Sequence, residues 1–230
     1  MRLRPGRWGT LAATVVMVVG ALASAGVSGA APRLAVRASA GGATAAHGVA
    51  VRPQVYNGPD SYWLVAADGG IFNYGDAGFD GSAGGGPLNK PIVGMAATPD
   101  GQGYWLVASD GGVFSFGDAS FYGSTGSLSL VKPIVGIAPT VDGHGYWLVA
   151  SDGGVFAGGD AGFYGSTGGL PLNKPVVAII PTPDSLGYWL VASDGGIFSY
   201  GDASFFGSTG ALALQKPIVA GTTPGLQIPS

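Results

Sequence analysis

From residue 62 onward, one pattern of apolar and polar positions is written four times. The run Tyr-Trp-Leu-Val-Ala starts at Tyr62, Tyr104, Tyr146 and Tyr188, each step 42 residues with no insertion or deletion. Asp-Gly-Gly follows at Asp68, Asp110, Asp152 and Asp194, Gly-Asp-Ala at Asp76, Asp118, Asp160 and Asp202, and Lys-Pro at Lys90, Lys132, Lys174 and Lys216. The Tyr-Trp-Leu-Val-Ala run is apolar on both of its alternating faces, as in a strand covered from both sides. It is too short and too rich in β-branched and aromatic residues for a helix.

The third repeat shows the expected elements: a first strand over 133–139, a second over 146–151, a third over 155–158 and a short fourth over 163–166. Asp152-Gly153-Gly154 makes the tight turn between the second and third, because glycine accepts the positive φ such turns need. Four antiparallel strands in a 42-residue repeat predict an all-β fold, a four-bladed β-propeller over residues 54–230. Residues 216–224 match a first strand with no second strand after it. The C-terminal strand, 218–222, is therefore expected to close the ring by pairing beside 62–67, removing an open edge. An open stack of four units, or half of an eight-bladed ring completed by a second copy, remains as the alternative.

Composition changes this picture little, but it narrows the function. Charged residues are only 10% and glycines number 44, which suits short apolar strands joined by tight turns. The chain has no cysteine, so disulfides, thiolate metal sites and cysteine nucleophiles are excluded. Charge is divided unevenly. Residues 1–53 carry six Arg and no acid, whereas residues 54–230 carry four Lys and thirteen Asp, a net charge of −9. An acidic body is repelled by phosphate backbones, so no nucleic acid partner is expected.

The N-terminus reads as an address. Arg2, Arg4 and Arg7 precede an uncharged apolar run over 11–27, which ends in the small residues Ala23-Ser24-Ala25 and Ser28-Gly29-Ala30. This is the order of a secretory signal peptide over 1–30, followed by a flexible linker over 31–53. If the segment stayed uncleaved, it would be the chain's contact with a membrane. A secreted or cell-surface bacterial protein is the expectation.

The stretch Gly-Tyr-Trp-Leu-Val-Ala-Ser-Asp-Gly-Gly-Val-Phe-Ser-Phe-Gly-Asp-Ala-Ser-Phe-Tyr-Gly-Ser at 103–124 resembles a repeat of secreted, mostly uncharacterised proteins of high-GC bacteria. Some of those proteins look to carry it beside cell-wall hydrolase or other extracellular enzyme domains. The resemblance implies a propeller-like fold over 61–223 and carries over no catalytic residue. In architecture alone the chain also looks like four-bladed propellers of the hemopexin type.

Candidate chemistry is sparse. Two histidines are present, His47 in the linker and His144 at a turn where neighbouring repeats have Gln102 and Leu186. A histidine repeated in every unit is thus excluded. The Asp-Gly-Gly and Gly-Asp-Ala carboxylates read as turn caps, with calcium as the competing role; no metal or cofactor is expected. Two ligand-binding sets stand out. Trp63, Trp105, Trp147 and Trp189 offer one aromatic face per repeat, suited to sugar rings if exposed and to inter-blade core if not. Lys90, Lys132, Lys174 and Lys216 would encircle one mouth of a central channel and attract an anion. Two breaks in symmetry are also visible: Gly158 replaces the aromatic of Tyr74, Phe116 and Tyr200, and Asp80 replaces that of Tyr122, Tyr164 and Phe206. The leading expectation is a non-enzymatic binding module for a cell-wall or extracellular glycan, or for an extracellular protein. A structural or adhesive surface protein comes second, and a hydrolase using Asp residues third.

Overall fold

The second, third and fourth Tyr-Trp-Leu-Val-Ala runs each form the middle strand of a small antiparallel sheet. The structure, a computed structural model, describes residues 61–223; the expected signal segment and linker lie outside these residues. Eleven strands are present among them: β1 (Tyr62–Val65), β2 (Ile71–Tyr74), β3 (Ile92–Ala97), β4 (Gly103–Ala108), β5 (Val113–Gly117), β6 (Ile134–Pro139), β7 (Gly145–Ala150), β8 (Val155–Gly159), β9 (Val176–Pro181), β10 (Gly187–Ala192) and β11 (Ile197–Gly201). They make one two-stranded sheet, β1-β2, and three three-stranded sheets, β3-β4-β5, β6-β7-β8 and β9-β10-β11, all antiparallel and with no helix.

The hairpin between the second and third strand of each repeat is built as its residues dictate. The carboxylate of Asp110 accepts the N–H of Gly112 at 3.0 Å, and Gly111 takes φ +81°. The same bond recurs from Gly70 to Asp68, Gly154 to Asp152 and Gly196 to Asp194. These aspartates therefore hold turns.

Packing explains why the middle strands are apolar on both faces. The buried side chains form three slabs between successive sheets. Trp105 and Val107 meet Tyr146 and Leu148 in one slab, and Trp147 and Val149 meet Tyr188 and Leu190 in the next. In the first, Tyr104 and Leu106 meet Trp63, Val65 and Ile71. Each repeat thus contacts its neighbours, as in other quasi-linear arrays. The inner strands β3, β6 and β9 adjoin one another in order. Their C-terminal ends, at Ala97, Pro139 and Pro181, converge with Thr223 on one hollow of about 280 Å³.

Two expectations need correction. No fourth strand forms at 163–166, or at its counterparts among the described residues. The backbone there spends its hydrogen bonds on side chains. The Trp147 indole N–H donates to the Gly162 carbonyl at 2.7 Å, and the Tyr188 hydroxyl donates to the Gly165 carbonyl at 2.6 Å. The Tyr164 N–H in turn donates to the Tyr188 hydroxyl at 3.2 Å, and Gly165 sits at φ +135°, outside strand geometry. Nor does the C-terminal segment close a ring. β1 pairs with β2 alone, and 218–222 forms no ladder with 62–67. The segment's anchor is local instead: the Ile218 N–H donates to the Ser193 carbonyl at 2.8 Å, as Ile92, Ile134 and Val176 donate to Ala67, Ser109 and Ser151. Gly221 lies close against Ile180 and Val191 of the fourth sheet. Both attachments are to the preceding repeat; unlike β3, β6 and β9, the segment makes no ladder with a following middle strand among the described residues.

Candidate functional site

The four tryptophans do not share one environment. Trp105 and Trp147 are fully buried, so the expectation that they contact a ligand is corrected: they are core. Trp63 and Trp189, in the first and last repeats, are half-buried. What all four do is hold the coil after the third strand. Their indole N–H groups donate to the carbonyls of Gly78, Ser120, Gly162 and Ser204, each at 2.7 Å.

The residue after each of those carbonyls is a phenylalanine. Phe79, Phe121, Phe163 and Phe205 are 59%, 60%, 62% and 62% exposed. Scattered exposed apolar residues are ordinary on protein surfaces. Here the same ring is left out at the same position in every repeat, on backbone pinned by a tryptophan. Sequence reasoning missed this set because the Gly-Asp-Ala-x-Phe spacing is the same whether the ring faces in or out.

The lysines are all exposed. Lys90 and Lys132 line a common cleft of about 360 Å³ together with Asp110, Leu128 and Leu130. Lys174 and Lys216 stand at the matching positions of the next two repeats. Among the described residues no lysine is within ion-pair distance of an aspartate.

The structure also joins carboxylates that are 18 residues apart in sequence. Thr140 donates from its hydroxyl to Asp142 at 2.8 Å and lies 3.2 Å from Asp160. His144 approaches Asp142 at 3.2 Å through Nδ1, and ligand atoms of Asp142, His144 and Asp160 fall within 4.8 Å of one another. All three are exposed. The Asp142 carboxyl is held well below the ordinary carboxylate range, chiefly by the His144 backbone N–H, then by the Thr140 hydroxyl and the His144 side chain. Asp100 and Asp184 are lowered in the same way, by the N–H groups of Gln102 and Leu186 and the hydroxyls of Thr98 and Thr182. The signal for these pairs was the recurrent Thr-x-Asp set 18 residues before each Gly-Asp-Ala aspartate from the second repeat on. Three exposed groups already occupied with one another can hold a turn; a metal would have to compete with those bonds.

The Gly158 break in symmetry has a structural consequence. Where Gly158 replaces an aromatic residue, a cleft of about 300 Å³ opens, walled by Tyr122, Tyr146 and Phe156. The backbone has partly followed the missing side chain, since a Cβ at 158 would lie 2.6 Å from the Tyr122 carbonyl oxygen. At the other end of the chain, Trp189 and Phe206 separate two hollows. One, of about 270 Å³, is apolar and includes Ile180 and Ile197. The other, of about 410 Å³, contains Asp184 and Asp202. No protein-family model matches the chain, and no curated protein is significantly similar to it.

Proposed function

We propose that this chain is a secreted, non-enzymatic binding protein of the bacterial cell surface, whose repeats are blade-like units that each offer one exposed phenylalanine to an extracellular or cell-wall glycan. The observation that carries the reading is the row Phe79, Phe121, Phe163 and Phe205, equally exposed in all four repeats. Burying a Phe ring is worth about 1.5–3 kcal/mol. The fold buries Trp105, Trp147, Tyr104, Tyr146 and Tyr188 completely or nearly so, yet leaves this ring in water four times. A flat apolar ring beside polar backbone suits the face of a pyranose. Four equivalent weak sites on one rigid array raise affinity by avidity, without any single strong site.

Secretion rests on the basic, apolar and small-residue order of residues 1–30. The blade-like arrangement is supported by the convergence of equivalent inner-strand ends on one hollow. The non-enzymatic reading is supported by the aspartates' engagement in turns and by the open position of Asp142, His144 and Asp160. Catalytic carboxylates work best in water-poor settings that raise one pKa, whereas the cited shifts all run downward.

The test is co-sedimentation of the full chain with purified bacterial cell walls and insoluble polysaccharides. Saturable pelleting is expected. A variant carrying F79A, F121A, F163A and F205A should keep its circular dichroism, because exposed substitutions change stability by about 0.5 kcal/mol or less each, and should lose pelleting. The reading fails if folded wild-type protein does not pellet, or if the four-fold variant pellets equally well.

A further inference from the structure

The interface between successive repeats is built from the same parts three times, and among the described residues half of it stands unpaired at each end of the array. The middle-strand tyrosine of each later repeat reaches back: Tyr104, Tyr146 and Tyr188 donate to the carbonyls of Gly81, Gly123 and Gly165, each at 2.6 Å. Their rings lie against the tryptophan of the preceding repeat, with centroids 5.5, 5.8 and 5.7 Å apart for Trp63–Tyr104, Trp105–Tyr146 and Trp147–Tyr188. A second ring covers the accepting glycine in two of the three cases, Phe116 over Gly81 and Tyr200 over Gly165.

At the first sheet the reaching half is unpaired. Tyr62 is 56% exposed, against 0–1% for its three counterparts, and its hydroxyl has no hydrogen-bond partner among the described residues. Tyr74, the counterpart of Phe116 and Tyr200, is exposed and stacks on Tyr62 with centroids 5.1 Å apart. At the last sheet the receiving half is unpaired. Among the described residues the one aromatic ring against Trp189 is Phe206 of its own repeat, and Phe206 is 87% exposed. Gly207, the counterpart of Gly81 and Gly165, has open space where the covering ring would lie.

We propose that the chain associates head to tail with a second copy of itself, the β1-β2 sheet of one copy seated on the β10-β11 sheet of the next. Tyr62 then meets Trp189 and donates to the Gly207 carbonyl, while Tyr74 covers Gly207, repeating the internal interface. The two halves differ, so neither end can pair with its own kind. Such a heterologous contact either closes into a ring or propagates. Within one chain the contact is not made among the described residues: Tyr62 stacks on Tyr74 and stays exposed, and Gly207 faces open space. The contact uses none of the four row phenylalanines, although Phe205 adjoins Phe206, and sedimentation velocity without glycan reads it apart from glycan binding.

Sedimentation velocity on the full chain and on two variants, Tyr62→Arg and Phe206→Arg, tests it. Wild-type chain is expected as dimers or larger species. Each variant alone should associate about thirty-fold more weakly or worse, as for a lost aromatic anchor at an interface centre. Mixing the two variants leaves one intact end on each, so heterodimers should form and stop at two. Monomeric wild type over the whole concentration range overturns the inference. So does association that persists in either variant, which would locate the contact elsewhere, and so does a mixture that stays monomeric. Circular dichroism checks folding; if an arginine variant does not fold, Tyr62→Ser or Phe206→Ser replaces it with the same expected outcomes.

Discussion

Replacing Tyr146 by phenylalanine removes one oxygen from the middle of the array. That oxygen donates to the Gly123 carbonyl at 2.6 Å and accepts from the Tyr122 N–H at 3.1 Å. The Tyr146 ring is buried, and its environment raises the phenol pKa by desolvation, so the hydroxyl works as a neutral group across the ordinary range. The substitution leaves a backbone donor and a backbone acceptor without their partner. A group stranded in this way costs about 1–3 kcal/mol. Tyr122 and Gly123 are only half-buried, so water relieves part of the loss, and about 2–3 kcal/mol in total is expected for Tyr146→Phe. Tyr188→Phe breaks the matching pair of bonds, to Gly165 and from Tyr164, and should cost the same. Tyr104 donates to the Gly81 carbonyl and also faces the Asp80 backbone N–H, so Tyr104→Phe should cost no more than Tyr146→Phe. Tyr62→Phe, in dilute solution where chains are separate, should stay within about 0.5 kcal/mol of wild type. Urea denaturation followed by tryptophan fluorescence reads the series. With a slope of about 2 kcal/mol per molar urea, the Tyr146 and Tyr188 midpoints should fall by about 1–1.5 M. Equal shifts at all four positions, or no shift at Tyr146, would refute the claim that these hydroxyls tie each repeat to the one before it.

Two further outcomes follow from the turns. Gly153→Ala places a methyl group on the hydroxyl of buried Thr167 at a backbone φ of +76°, while Gly169→Ala, at φ +84°, meets nothing within 4 Å. Gly169→Ala should cost about 1–2 kcal/mol from the backbone alone, and Gly153→Ala at least about 2 kcal/mol more because a packed side chain must move; equal urea midpoints for the two would contradict this. The carboxyl of Asp142 should remain ionised in the folded protein well below its ordinary value of 3.8. Because the folded pKa is depressed, the stability it contributes is present above that ordinary value and is lost as pH falls through the lowered one. A carbon-13 titration with a midpoint near 4 would show that the hydrogen bonds from His144 and Thr140 do not hold the charge.

Features that depend on near neighbours could be read from the order of residues alone. The 42-residue step, the strand cores at Tyr104, Tyr146 and Tyr188, and the Asp-Gly-Gly hairpins were all legible. A turn is decided by a few adjacent residues, and a strand by the run of side chains it carries. Exposure was not legible, because it depends on which repeat lies against which. The same Tyr-Trp run is core at Tyr146 and Trp147, covered by neighbours on both sides, and surface at Tyr62, where among the described residues no earlier repeat covers it. The expected fourth strand failed for a related reason. Its backbone partners turned out to be a tryptophan of its own repeat and a tyrosine of the next, rather than another strand. Ring closure also failed: Ile218 repeats the anchor that Ile92, Ile134 and Val176 make to the preceding sheet, but among the described residues 218–222 meets no middle strand of its own to pair with. Placing the phenylalanine row outside and leaving the two ends unpaired are tertiary decisions: identical local sequence acquires different roles only when packing fixes what covers it.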